Sequence, residues 1–234
     1  MFNRDEQWSR KAALLPRLLV RNGARLIAPI DPDAGGTWIG VNAFGLSIAL
    51  LNRYQDTVTV KPNPERPFIS RGQLVRNLLD SRATGEVHSR IDSLELERFQ
   101  PFTLLTIETG IPALLIEWSG SQLIIDPDAD GQMPLASSSF EASSAIAYRK
   151  ALLQRLSSEL LSVETLRAFH ATQEPGRAAY GPCMRRDDAH TVSFSWIKVR
   201  PERITFEYTA AAPCEASAVL PFAVSITPAA AYRA

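Results

Sequence analysis

Short apolar segments closed by turn residues open this sequence, helix-like segments follow, and the pattern then returns to paired strands. Apolar or alternating runs bounded by Gly, Pro, Asn and Asp are typical of β-strands joined by hairpins. The predicted strands are 25–30, 36–42, 45–52, 102–108, 113–118, 122–125, 191–199 and 203–208. Hairpins that alternate with helices predict an α+β fold of antiparallel sheets covered by helices, rather than the βαβ order of a parallel sheet.

Four segments have the periodicity of amphipathic helices. The predicted helices are 70–80, 89–98, 145–161 and 163–171. Ser70 is suited to cap the first of them, because serine at this position accepts hydrogen bonds from unpaired backbone N–H groups. In the third, leucines form a broad apolar stripe and Arg149 lies off it, which favours a solvent-facing arginine over one that reaches back toward Ser137 as an acid-binding group.

The composition restricts partners and domain organisation. Lys+Arg and Asp+Glu both number 25, so charge gives no indication of nucleic-acid binding. Apolar runs are too short to cross a bilayer, and no signal-peptide pattern opens the chain, so we expect no integral membrane association. Without repeats or Gly/Ser linkers, the sequence predicts one domain over residues 1–209 and a loosely held Ala/Pro-rich tail over 210–234.

The cysteines and histidines indicate neither a metal nor a cofactor. Cys183 and Cys214 form no CxxC pair, which predicts reduced thiols and, with the missing signal peptide, a cytoplasmic protein. His88, His170 and His190 lack metal-binding spacing, and no phosphate- or dinucleotide-binding loop is present. Cys183 is a rival nucleophile with His190 seven residues later, but buried cysteines more often pack as small hydrophobes.

Four motifs carry a family resemblance. Residues 3–6 read NRDE, 33–41 read DAGGTWIGV, 45–54 read GLSIALLNRY, and 70–72 read SRG at the start of a helix. In this order and spacing they resemble the NRDE family of the Transport and Golgi Organisation type. The resemblance covers most of the chain and is strongest over residues 3–80.

The resemblance implies a four-layer αββα N-terminal-nucleophile (Ntn) hydrolase fold. In that fold the first retained residue supplies the nucleophile, and its α-amino group acts as the base. Family members begin Met-Cys on a strand ahead of the NRDE motif, whereas this chain begins Met1-Phe2 and Phe2 has no nucleophilic atom. We expect the first strand to be missing. Either the native start lies upstream with a cysteine, which we prefer because losing a central strand leaves unpaired backbone, or the protein is an inactive relative.

The resemblance also assigns candidate site residues. Asp5 resembles the aspartate that orients the nucleophile's amine, and Arg4 is a candidate ion-pair partner beside it. Asn52 matches an asparagine of the oxyanion hole. Ser137 stands where family members place a second asparagine, and its hydroxyl can donate a single hydrogen bond. The structural alternatives are a turn aspartate, a solvated arginine and a strand-end asparagine.

Two functions remain open at this stage. The first is an Ntn amidohydrolase or acyltransferase that acts, when full length, on a small acyl amide. The second is a non-catalytic protein that binds or transports a lipid or haem, as has been suggested for the family. Either function implies a small acyl or lipid-like ligand.

Overall fold

The computed structural model describes residues 1–54, 65–157, 161–215 and 219–229. The strands are β1 (Phe2–Gln7), β2 (Leu14–Arg21), β3 (Ala24–Ile30), β4 (Ile39–Asn42), β5 (Ser47–Asn52), β6 (Phe102–Glu108), β7 (Ile111–Trp118), β8 (Leu123–Asp126), β9 (Ala189–Val199), β10 (Ile204–Thr209) and β11 (Phe222–Ile226). The α-helices are α1 (Arg71–Leu78), α2 (Thr84–Asp92), α3 (Ala142–Leu156) and α4 (Val163–Ala171). Short 3₁₀ turns occupy Leu96–Arg98 and Asp130–Gln132.

The strands form two antiparallel sheets, which confirms the predicted α+β class. One sheet has the order β1-β9-β10-β11, and the other runs β2 to β8 in sequence order. Glycines with positive φ make several of the sharp turns, including Gly110 between β6 and β7. A glycine is suited to this turn because it has no Cβ to clash in the left-handed region.

The chain divides into two compact units. Unit 1 comprises Met1–Ala12, Met133–Trp196 and Glu207–Ala223, and unit 2 comprises Ala13–Gln132, Ile197–Phe206 and Val224–Ala234. The single domain expected over residues 1–209 stays a prediction.

In unit 2, α1 and α2 pack on one face of the seven-stranded sheet. Their buried residues recur at helical spacing, as in α2, where Val87 and Ile91 are both fully buried. They join a core cluster with sheet residues that include Leu26, Ile48, Leu50, Phe102, Leu104, Leu114, Ile116 and Trp118. Burial of this continuous apolar surface is the main stabilising contribution in unit 2.

The glycine-rich motif and the SRG motif meet in the same contact. A Cβ built on Gly36 would overlap the backbone of Gly72, and one built on Gly72 would lie 3.1 Å from the backbone nitrogen of Thr37. The Thr37 N–H also donates to the Gly72 carbonyl at 3.0 Å. These glycines therefore allow the backbone ahead of β4 to lie directly against the start of α1.

Asn42 directly follows the glycine-rich motif and holds the far end of α1. Its amide donates to the carbonyls of Leu79 (3.0 Å) and Ser81 (2.6 Å), while its side-chain oxygen accepts from the Phe44 and Leu46 N–H groups. All of its hydrogen-bonding capacity is used inside the protein, as a buried amide requires. In the structure, the motif's main role is to join the sheet to the helix.

Several predicted bounds differ from the structure. The helix expected at 89–98 is α2, which begins after Ala83, followed by a separate 3₁₀ turn. The helix expected at 145–161 begins earlier and ends at Leu156, and residues 158–160 lie outside the described residues. The prediction lacked β1, β2 and β11. The last of these lies in the tail that was expected to be loosely held.

Candidate functional site

A buried ionic cluster in unit 1 surrounds Asp5. The pairing of β1 with β9 sets Arg4 opposite Ser193 and Asp5 opposite Thr191, with a register shift between the two pairs. Asp5 Oδ1 accepts a hydrogen bond of 2.6 Å from the Thr191 hydroxyl, and Asp5 Oδ2 lies 3.5 Å from Arg149 Nη2. A bulge of this kind re-aims side chains and is over-represented beside active sites.

Arg149 is an inward-facing residue of α3, so the prediction of a solvent-facing arginine was wrong. Its side chain is 9% exposed, and that of Asp5 is 25% exposed. Besides Asp5, its guanidinium donates to the carbonyls of Tyr180 (3.0 Å) and Ser137 (3.3 Å). A buried arginine needs such partners because an unpaired charge in the interior is strongly unfavourable.

Opposing effects act on the Asp5 carboxyl. Burial raises its pKa above the ordinary value, while Arg149, the Thr191 hydroxyl and Arg186 act in the opposite direction, and burial prevails. Burial thus works against the ionised form of Asp5, which Arg149 and the Thr191 hydroxyl favour.

Asn3 organises the neighbouring part of unit 1. Its amide donates to the carbonyls of His170 and Pro182, both at 2.8 Å, and its oxygen lies 3.1 Å from His170 Nδ1. Burial, the α-amino group of Met1 and Arg149 lower the pKa of His170 to about 3. The imidazole is therefore neutral at physiological pH.

Arg4 and Asn52 have different partners from those of Asp5, whereas Ser137 shares Arg149 with it. Arg4 is buried and pairs with Glu6 at 3.0 Å. Ser137 enters the Asp5 cluster through its backbone carbonyl, which accepts from Arg149. Asn52 belongs to unit 2, at the end of β5, where its amide donates to the Tyr54 hydroxyl at 2.9 Å. The oxyanion roles proposed for Asn52 and Ser137 stay predictions.

The two cysteines form a disulfide, so the expectation of reduced thiols was wrong. Cys183 is fully buried, and its bond to Cys214 excludes it as a nucleophile in this form of the protein. His190, its proposed partner, instead stacks on Trp8 with ring centroids 3.6 Å apart. The disulfide removes one of the two grounds for a cytoplasmic location, which stays a prediction.

The described residues were also surveyed for metal sites and membrane spans. Within 1–54, 65–157, 161–215 and 219–229, His, Cys, Asp and Glu side chains form no group of three suited to a metal ion. In the same residues, every helix is too short or too polar to cross a bilayer.

Sequence reasoning missed Thr191 and preferred the solvent-facing alternative for Arg149. Arg149 lies three and four residues before Leu152 and Leu153 and shares their face of the helix, but its charge excluded it from the predicted apolar stripe. The alternation of β9 did carry a signal for Thr191. Thr191, Ser193 and Ser195 occupy one face of that strand and are almost fully buried, whereas Phe194 lies on the partly exposed face.

Several solved structures are similar to this chain in fold. Penicillin V acylase from Agrobacterium tumefaciens is similar with a TM-score of 0.55 and 14% identity, over 96% of this chain and 81% of the acylase. The N-acylethanolamine-hydrolyzing acid amidase ortholog of Caenorhabditis elegans is similar with a TM-score of 0.53 and 14% identity, over 81% of this chain and 93% of that one.

A variant of conjugated bile acid hydrolase from Clostridium perfringens gives a TM-score of 0.51 and 10% identity, over 97% of this chain and 92% of the hydrolase. These similarities show that this chain has an Ntn-hydrolase-like fold with two antiparallel sheets and four helices. At such low identity the likeness concerns the fold alone.

Sequence comparison shows the family. No curated protein matches the chain. The family model described as Transport and Golgi organisation 2 (TANGO2) matches residues 1–167, well over half of the 234 residues. The NRDE resemblance found in the four motifs is thereby confirmed. This chain belongs to the TANGO2 family.

Proposed function

We propose that this protein is an Ntn amidohydrolase or acyltransferase that acts, in its full-length form, on a small acyl amide. The observation that carries the proposal is the Asp5 cluster. An aspartate at the NRDE motif is held between Arg149 at 3.5 Å and Thr191 at 2.6 Å, inside an Ntn-hydrolase-like fold. Such a carboxylate is suited to orient the amine of a terminal nucleophile, which takes up the nucleophile's proton during attack.

The nucleophile in this proposal is a cysteine ahead of Phe2. Its support is the sheet order, in which β1 is an end strand of the four-stranded sheet and pairs with β9 on one side. An end strand presents unpaired backbone groups, and a further strand carrying the cysteine would satisfy them.

The first experiment is the intact mass and N-terminal sequence of the protein from its native source. We expect a longer chain that begins with cysteine after removal of methionine. That form is then assayed with penicillin V, an N-acylethanolamine and a conjugated bile acid, the amides named for the structural neighbours. The proposal predicts turnover of an acyl amide, and Asp5→Asn should lower kcat/KM by about 10²-fold or more. A native chain that begins at Met1, or full-length protein inert toward acyl amides, contradicts it.

The second candidate is a non-catalytic carrier of a lipid or haem. The observation that favours it is that one of the two N–H donors of the Asn52 amide is already engaged by the Tyr54 hydroxyl within unit 2. A carrier predicts that native mass spectrometry detects a co-purified acyl lipid, or that added haem gives a Soret band, in wild type and Asp5→Asn alike. Ligand-free protein that hydrolyses amides contradicts it.

A further inference from the structure

The Thr191 hydroxyl is fixed in direction by its neighbours. A threonine hydroxyl has a single proton to donate and two lone pairs that accept. The Met184 N–H, which can only donate, points at Thr191 Oγ1 from 2.8 Å, so the hydroxyl accepts there. Its proton then has two possible acceptors, Asp5 Oδ1 at 2.6 Å and the Pro182 carbonyl at 3.5 Å. The shorter contact is the stronger bond, and the proton points at Asp5.

The residue that carries this hydroxyl is held rigidly. Thr191 is fully buried on β9, and its own N–H donates to the Met184 carbonyl at 2.9 Å. Backbone and side chain therefore both bind Met184. Cys183, which directly precedes Met184, is bonded to Cys214 by the disulfide. The crosslink therefore restrains the segment to which Thr191 is hydrogen-bonded.

The two carboxylate oxygens of Asp5 consequently have separate partners. Oδ1 accepts the hydrogen bond from the Thr191 hydroxyl, and Oδ2 lies 3.5 Å from the Arg149 guanidinium. A carboxylate turned part of the way out of this orientation would lose both contacts. The short, directed hydrogen bond from Thr191 thus helps to fix the plane of the Asp5 carboxylate.

We infer that Thr191 is a positioning residue of Asp5, whose carboxyl group it holds in one orientation. The inference rests on the proposed function for its catalytic meaning, since Asp5 there orients the nucleophile's amine. This role of Thr191 differs from a packing role because it requires the hydroxyl group and not merely the volume of the side chain. Serine should therefore replace threonine, whereas valine, which has the same shape without the hydroxyl, should not.

The test is the pKa of Asp5, measured by carbon-detected NMR titration of its carboxyl, with the signal assigned from Asp5→Asn. The other charged or titratable groups that act on or respond to Asp5 are Arg149, Arg186 and His190, and all three stay unchanged in the variants. Thr191→Val should raise the pKa by about one unit, a tenfold fall in the acid dissociation constant. Thr191→Ser should stay within about 0.3 units of wild type, because it keeps the donor.

Thr106→Val is the matched control. Thr106 is also a fully buried strand threonine, and its hydroxyl has no hydrogen-bond partner among the described residues. Thr106→Val should leave the pKa of Asp5 unchanged. Equal pKa values in Thr191→Val and Thr106→Val would overturn the inference.

A measurement on the unaltered protein covers the case in which Thr191→Val does not fold. The Thr191 hydroxyl proton should exchange slowly with water, and its chemical shift should follow the Asp5 titration with the same midpoint. A fast-exchanging proton, or one indifferent to Asp5, overturns the inference. Neither the pKa of Asp5 nor the exchange of the Thr191 hydroxyl proton depends on turnover. If the full-length protein hydrolysed no acyl amide, the proposed function would be contradicted, but the result for Thr191 would still hold.

Discussion

The Asp5 carboxylate is shared between donors from different parts of the chain, the Arg149 guanidinium from α3 and the Thr191 hydroxyl from β9. Arg149 also binds the carbonyls of Tyr180 and Ser137, which would otherwise lose a partner. A change at this arginine therefore affects a charge and two backbone acceptors together. At the residue scale, substitution of Arg149 is therefore expected to destabilise unit 1.

Arg149→Met should lower the free energy of unfolding by about 1–3 kcal/mol, because it leaves a largely buried carboxylate without its cation. It should also raise the pKa of Asp5 further. Urea unfolding at pH 7 measures the first effect. Lys150→Met is the control, since Lys150 is the next residue of the same helix and is exposed. Equal stability losses in the two variants would contradict the role given to Arg149.

His170 makes stability depend on pH. Its pKa of about 3 in the folded protein lies below the ordinary value of 6.5, so the unfolded chain binds the proton first as the pH falls. This contribution is complete above about pH 6.5 and declines toward pH 3. The physical cause is burial first, followed by the positive charges of the Met1 amine and Arg149.

His170→Gln should flatten that dependence. Between pH 7 and pH 4 the wild type should lose about 1–3 kcal/mol more than the variant, a value reduced because the ring is partly exposed. Chemical unfolding at pH 8, 7, 5.5 and 4 measures it, and the values at pH 8 serve as the internal reference. An equally steep loss in both proteins would show that His170 is not the titrating group.

At the scale of elements, the joint between β4 and α1 depends on a missing side chain. A Cβ on Gly36 would occupy the space of the Gly72 backbone, and backbone atoms have little freedom to move away. The Thr37–Gly72 hydrogen bond would be broken by the separation that relieves the overlap.

Gly36→Ala should destabilise unit 2 by about 2 kcal/mol or more, because overpacking against backbone displaces α1 from the sheet. Gly85→Ala is the contrasting control. Gly85 lies in α2 with open space where its Cβ would be, so alanine there should stabilise by about 0.5–1 kcal/mol. Thermal or urea unfolding of both variants decides the matter, and a neutral Gly36→Ala would contradict the close approach.

Elements with strong local signals were predictable, and those made by pairing were not. The bounds of β6 and α4 agree with periodicity, since their apolar spacing and turn residues act locally. β1 is a polar NRDE segment that becomes a strand only because β9 pairs with it. β11 likewise depends on β10, whereas β2 pairs with the adjacent β3 in a hairpin closed at Asn22 and Gly23, so its omission does not come from distance in sequence. The Asp5–Arg149 contact joins residues more than a hundred positions apart, for which no spacing rule exists.

At the scale of the whole molecule, the Cys183–Cys214 bond closes a covalent loop with a separation of 31 residues. A crosslink of this length reduces the conformational freedom of the unfolded chain, worth about 3–4 kcal/mol in the chain-entropy account. The bond joins two segments of unit 1, one that precedes β9 in the chain and one that follows β10.

Reduction of this disulfide should lower the free energy of unfolding by about that amount. The measurement is urea unfolding with and without a thiol reductant, beside the double variant Cys183→Ala/Cys214→Ala. The double variant should be as unstable as the reduced wild type and should not respond to reductant. A wild type whose stability is the same in both conditions would show that the crosslink contributes nothing.

The contact of Gly36 with Gly72 has a consequence for recombining this protein with its relatives. Gly36 and Gly72 lie 36 positions apart in the sequence but in direct contact, so a side chain at Gly36 would require the backbone at Gly72 to move. A hybrid spliced between the two positions takes each side of this contact from a different parent. Such hybrids should lose stability when the parent that supplies position 36 has no glycine there, whereas splices beyond residue 72 take both positions from a single parent.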